Sequence, residues 1–92
     1  MSALQEFSAI KSDDDLYSFL TRYALVEDLN AEKPASIGRG VLGVYVGQIE
    51  GHAVQVTHRW RDPSGPFQNE PDIHKAILQM AGVGYKEVEY EG

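Results

Sequence analysis

The chain of 92 residues has no cysteine, only one tryptophan and no long hydrophobic run. Without cysteine, the protein cannot form a disulfide, a thiolate zinc site, an iron–sulfur cluster or a cysteine nucleophile. The uncharged stretch 40–49 is about half of the roughly 20 residues that a membrane helix needs. The first ten residues carry Glu6 and lack the basic start of a signal peptide. We therefore expect a cytoplasmic protein that does not associate with membranes.

The charge of −6 is distributed unevenly along a sequence of ordinary globular composition, with 42% hydrophobic and 24% charged residues. Residues 1–32 hold seven acidic and two basic side chains. Residues 33–61 hold one acidic and four basic side chains, and residues 62–92 hold six acidic and two basic ones. Overall acidity disfavours a general nucleic-acid binder, whereas a basic partner surface would be complementary to the acidic ends. The length predicts one compact domain over 1–92.

Two helical segments are predicted near the start of the chain. Ser12 followed by three aspartates is typical of a helix N-terminus, where a hydroxyl caps free N–H groups and acidic residues favour the helix dipole. The helix is predicted over 13–25, with one apolar stripe formed by Leu16, Phe19, Leu20, Tyr23 and Ala24. A short helical turn upstream would use Leu4, Phe7 and Ile10.

A β-hairpin is predicted from the strands 41–48 and 52–60. A three-residue loop at 49–51, with Gly51 in the left-handed position, would place all the valines of both strands on one face. A two-residue loop, Glu50-Gly51, would instead set Val44 opposite Thr57 and mix the faces. We favour the first register because it gives one continuous apolar face.

A second helix and a last strand complete the predicted fold. Asn69 is a candidate N-cap, Pro71 suits a first helical turn, and an apolar stripe follows at Ile73, Ala76, Ile77, Met80 and Ala81. The segment 85–90 alternates and is predicted as a charged edge strand. The predicted fold is α+β in the order α-β-β-α-β, with a three-stranded antiparallel sheet and two helices on one face.

No catalytic or metal-binding pattern stands out. His52 and His58 lie six residues apart, too far to share one ion on a straight strand, and His58 is expected at the sheet margin. His74 would not face Asp72 on the predicted helix, because residues two apart diverge there. The G-x-G-x-x-G match at 38–43 precedes a strand rather than a helix, unlike a dinucleotide site. We predict no enzyme, no metal and no cofactor.

Two groups of side chains are predicted to bind a partner. Arginine beside aromatic residues is typical of binding hot spots, and the sheet face and basic strip would comprise Arg39, Tyr45, Arg59, Trp60, Arg61 and Phe67. The alternatives are a polar sheet face with no partner and, for Phe67, a plug of the core. The acidic group would comprise Asp13, Asp14, Asp15, Glu87 and Glu89.

In size, acidity, lack of cysteine and α/β build, the chain resembles the small phage proteins that inhibit host defences, the anti-CRISPR proteins among them. The resemblance implies a non-enzymatic inhibitor, monomeric or weakly dimeric, in the host cytoplasm. Its acidic ends would imitate nucleic acid toward a basic nucleoprotein complex, and its arginines would contact acidic protein or a guide-strand phosphate. The alternatives are a weak nucleic-acid-binding module that uses the basic middle segment, and a small ligand-binding or enzymatic domain.

Overall fold

The computed structural model describes residues 2–38, 40–60, 69 and 72–92. The elements in chain order are α1 (Ala3–Ser8), α2 (Asp13–Arg22), β1 (Val26–Glu27), a 3₁₀ turn (Ala35–Ile37), β2 (Val41–Ile49), β3 (His52–Trp60), β4 (Ile73–Met80) and β5 (Gly84–Glu91). The α+β class is confirmed, but the described residues form a five-stranded antiparallel sheet rather than a three-stranded one. Neither helix of the described ranges is long and apolar enough to cross a membrane.

Both predicted helical segments at the start of the chain are confirmed. The Ser12 hydroxyl accepts a hydrogen bond from the Asp15 backbone N–H at 3.2 Å, and the apolar stripe of α2 is buried. The helix ends at Arg22, three residues earlier than predicted. In α1, the Phe7 ring packs edge-on against Phe19 at 5.3 Å between centroids. Local capping and helical periodicity therefore determine this layer.

The β2–β3 hairpin has the two-residue loop, so the preferred three-residue register is wrong. Glu50 and Gly51 have φ angles of 53° and 80°, and Val44 lies opposite Thr57. Positive φ at both loop residues is the pattern of a type I′ turn, whose twist matches that of antiparallel strands. The valines are consequently divided between the two faces, with Val54 and Val56 toward the helices and Val44 toward the opposite, outer face.

The segment predicted as a second helix is the strand β4. It pairs with β3 on one side and β5 on the other, and each of its faces carries buried side chains. Ala76, Leu78 and Met80 belong to the helix-side core, whereas Ile77 is buried on the outer face. The apolar residues that fit a helical stripe are therefore divided between the two faces of the sheet. Pairing of this segment with two neighbouring strands outweighs its helical periodicity. Pro71 of the predicted first turn lies outside the described residues.

The outer face of the sheet is partly covered by the chain between β1 and β2. Ile37 in the 3₁₀ turn is buried there. The Gln55 amide donates to the Glu32 carbonyl at 2.7 Å, and the Lys75 ammonium donates to the Ser36 carbonyl at 2.9 Å. The open sheet face expected from the sequence is therefore only partly open. The prediction of a charged last strand at the sheet edge is confirmed by β5.

Candidate metal centre

Two histidines that are distant in sequence meet on the helix side of the sheet. His58 on β3 lies opposite Ala76 on β4, and His74 lies opposite Tyr90 on β5. Residues opposite one another share a face, as do residues two apart on a strand, so all three polar side chains point toward the helices. Asp13 in the first turn of α2 approaches them from above. The helix and three strands thus bring four polar side chains together, a group that we call the histidine cluster.

The polar atoms of the histidine cluster converge on one point. Asp13 Oδ1 lies 2.8 Å from His74 Nδ1 and 3.5 Å from His58 Nε2, and the two ring nitrogens lie 3.3 Å apart. The Tyr90 hydroxyl donates to Asp13 Oδ1 at 2.7 Å and lies 3.3 Å from His58 Nε2. The three atoms from Asp13, His58 and His74 satisfy the spacing of a shared metal site.

These separations match those of a small coordination sphere. In a tetrahedral site with ligands about 2.0–2.1 Å from zinc, neighbouring ligand atoms lie about 3.3–3.4 Å apart. The observed 2.8, 3.3 and 3.5 Å bracket that value. The Asp13 side chain is 39% exposed, so an ion has a route from solvent to the ligand atoms. A metal could therefore be bound with the same strand pairing, once the 2.8 Å hydrogen-bond separation of Asp13 and His74 lengthens by about 0.5 Å.

Asp72 supplies the outer contact that metal-bound histidines commonly have. His74 Nε2 lies 3.2 Å from Asp72 Oδ1, while Nδ1 faces Asp13. A neutral imidazole carries one proton, so His74 alone can donate to only one of these carboxylates. A metal on Nδ1 would leave the proton on Nε2 for Asp72, the arrangement that fixes the tautomer of many metal ligands. The surroundings of His74 are thus satisfied at both nitrogens when an ion is bound.

His58 is held in the form that binds metals. Its side chain is 1% exposed, and this burial lowers its pKa from 6.5 to about 4, with nearby Asp13 opposing the shift and His74 adding to it. The ring is therefore neutral at pH 7. Nδ1 has no hydrogen-bond partner among the described residues, whereas Nε2 faces the other ligand atoms. Burial and the bond to Asp13 also raise the pKa of Tyr90 far above its ordinary value.

The predicted partner-binding residues that the structure describes, Tyr45, Arg59 and Trp60, do not all lie on one surface. Tyr45 packs on the helix-side core, and the Trp60 ring lies 4.9 Å from the His58 ring on the same side. Arg59 is on the outer face, where its guanidinium donates to the Ile73 carbonyl at 3.5 Å. This separation corrects the expectation that Tyr45 and Arg59 share a face, and follows from the two-residue hairpin loop. The predicted contacts Arg39, Arg61 and Phe67 lie outside the described residues.

The predicted acidic residues have different surroundings. Asp13 belongs to the histidine cluster, and Asp15 accepts a hydrogen bond from the Lys11 backbone at 3.0 Å. Asp14 is exposed in the first turn of α2. Glu87 pairs with Lys75 at 3.0 Å, and Glu89 lies opposite Lys75 in the strand register. Lys75, from the same acidic segment of the sequence, thus offsets part of the negative charge on the outer face of the sheet.

His58 and His74, the histidines of this cluster, were not predicted to meet, because His74 was assigned to a helix. His58 is buried on the central strand β3, two residues before that strand ends, rather than on an edge strand of the sheet. The signal available in the sequence was the D-x-H triplet at 72–74, whose ends share a face on a strand. No protein-family model, curated protein or solved structure matches this chain.

Proposed function

We propose that the chain is a domain that binds one transition-metal ion through Asp13 Oδ1, His58 Nε2 and His74 Nδ1. The observation that carries the proposal is the set of three separations, 2.8 to 3.5 Å, among donor atoms from three different elements. Imidazole nitrogens favour zinc, copper, iron and nickel over magnesium and calcium. The bound ion would tie α2 to the centre of the sheet.

Zinc binding tests this proposal. We expect wild-type protein, stripped of metal with a chelator, to bind one Zn²⁺ per chain in a calorimetric titration. His74→Gln and Asp13→Asn should abolish that binding at the same concentrations, because each removes one of three donors. Asp13→Asn keeps the shape of a partly exposed side chain, so it separates loss of binding from loss of folding, which circular dichroism reports.

His52→Gln is the matched control, since His52 lies at the hairpin loop and its ring contacts the Ala81 carbonyl at 3.0 Å, outside the histidine cluster. This variant should bind zinc like the wild type. Absence of zinc binding by the wild type, or equal binding by His74→Gln and His52→Gln, would contradict the proposed site.

A second proposal is a non-enzymatic protein-binding function directed at a basic surface, such as that of a nucleoprotein complex. It is supported by the outer face of β5, a strand at the sheet edge. Every second residue of this strand lies on that face, namely Tyr85, Glu87, Glu89 and Glu91. Tyr85 is 70% exposed, and all three carboxylates belong to exposed residues. Carboxylates two residues apart on a strand repeat at about 6.6–6.8 Å, and since Glu87 pairs with Lys75, Glu89 and Glu91 carry the negative charge offered to a partner.

An arginine-rich peptide serves as the probe for this second function. Neutralising Glu89 and Glu91 together (E89Q/E91Q) should weaken peptide binding roughly two- to thirtyfold, as expected for two exposed charge pairs. E27Q/E32Q is the control, because it removes the same charge from exposed residues outside β5. Fluorescence anisotropy at two salt concentrations measures both. Equal weakening in the two double variants would mean that net charge alone attracts the peptide, and would refute a docking role for β5.

A further inference from the structure

Tyr90 occupies a position that the three-ligand site does not explain. Its side chain is buried, with the residue 7% exposed, on β5 directly opposite His74. The ring packs against both imidazoles, with centroids 5.4 Å from His74 and 6.4 Å from His58. Its hydroxyl is the only hydroxyl of the described residues within hydrogen-bond distance of Asp13 Oδ1. A buried tyrosine hydroxyl normally takes a hydrogen-bond partner, and here that partner is the carboxylate oxygen of the proposed site.

The hydroxyl also competes with the ion for Asp13. Its proton is donated to Oδ1 over 2.7 Å, and that same oxygen has to face a bound metal. The ring packs against both imidazoles, so its oxygen lies beside their nitrogens. An incoming ion therefore meets the phenol oxygen beside the carboxylate oxygen, and the simplest exchange is loss of the phenol proton to water with formation of a metal–oxygen bond.

We infer that Tyr90 is the fourth ligand of the site, bound as a phenolate, and that the site accepts ferric iron. This inference rests on the proposed metal-binding function and deepens it. Five of the six pairwise separations among the four donor atoms are 2.7, 2.8, 3.3, 3.3 and 3.5 Å, so the phenol oxygen fits the same coordination sphere. The resulting donor set has two neutral nitrogens and two anionic oxygens. Anionic oxygens suit a hard trivalent cation, and imidazole is also a good ligand for iron.

Ferric iron supplied as its nitrilotriacetate complex tests the inference by a colour that zinc does not give. A phenolate bound to ferric iron transfers charge to the metal in the visible range, so wild-type protein should develop a visible absorption band that saturates at one iron per chain. Tyr90→Phe should lose the band, because it removes only the oxygen and keeps the ring. Tyr85→Phe on the exposed side of the same strand should keep the band in full.

Zinc titrations of the same variants separate the two proposals. Tyr90→Phe retains the donors from Asp13, His58 and His74, so we expect it still to bind one zinc ion, with its circular dichroism unchanged. Zinc binding by the wild type with no visible ferric band, or with a band that survives in Tyr90→Phe, would overturn the role of Tyr90 and leave the three-ligand site standing. Failure of the wild type to bind either ion would overturn both.

Discussion

Truncation of Leu16 to alanine is expected to lower the free energy of unfolding by about 2–5 kcal/mol. Leu16 is fully buried, one turn beyond Asp13 on α2, and its removal leaves a cavity between the helix and the sheet. Small domains are stable by only about 5–15 kcal/mol, so this loss is a large part of the total. Urea denaturation followed by circular dichroism measures the change from the shift in midpoint.

Leu29→Ala is the matched control for this truncation, because the chemical change is identical but Leu29 is 83% exposed. Its effect should stay within about 0.5 kcal/mol. Similar losses for the two variants would mean that α2 is not packed on the sheet as described. Because Leu16 holds the helix that carries Asp13, Leu16→Ala should also weaken zinc binding, whereas Leu29→Ala should leave it unchanged.

Acidification from pH 7 to pH 5 is expected to destabilise the metal-free protein by about 2 kcal/mol through His58 alone. Burial lowers the pKa of His58 from 6.5 to about 4 in the folded protein. At a pH between these two pKa values, His58 binds a proton in the unfolded chain but not in the folded chain. The stability is therefore fully present above pH 6.5 and is lost progressively as the pH falls toward 4.

Urea denaturation of chelator-treated protein at pH 7 and pH 5 measures this loss. His58→Gln should reduce the pH dependence, whereas His52→Gln should keep it. Glu6, whose pKa is lowered chiefly by the Tyr23 hydroxyl, acts in the same direction but at lower pH. Since His58→Gln changes a buried residue, NMR titration of the His58 ring in the wild type gives a second measure. A ring that titrates near pH 6.5 in the folded protein would contradict the burial argument.

The helical layer could be predicted because its determinants are local. Ser12, the aspartates after it and the stripe from Leu16 to Tyr23 act within a few residues of one another. The alternation of β5 was also readable, because one of its faces is exposed. These elements follow from capping and from one-sided burial, which leave a periodic pattern in the sequence.

The central strand β4 could not be read in the same way. Both faces of β4 carry buried apolar side chains, so such residues occur at successive positions, Ala76, Ile77 and Leu78. Such a run shows no clear period of two, and the spacing of Ile73, Ile77 and Met80 fits a helix by coincidence. The hairpin register failed for a related reason. The preference for a single valine face assumed one apolar side of the sheet, whereas Val44 and Ile77 are buried on the outer face as well.

The histidine cluster depended on the element that was mispredicted. Asp72 and His74 share a face only when their segment is extended, and His58 meets His74 only when β3 and β4 are neighbours. Asp13 had a sufficient local explanation as an acidic residue in the first turn of a helix. Its contacts with His74 and Tyr90, which lie 61 and 77 positions further along the chain, depend on the tertiary structure.

The strand order β1 to β5 follows the order of the chain, and this has a consequence for how the molecule assembles. Each strand pairs with its predecessor after a connection within the chain, so the sheet can grow hairpin by hairpin at low loop-closure cost. The bond between Asp13 and Tyr90 instead spans 77 positions and can form only after β5 has joined the sheet and α2 has docked. The proposed ion would therefore find its complete donor set only in the fully folded chain, and its binding would stabilise that chain against unfolding.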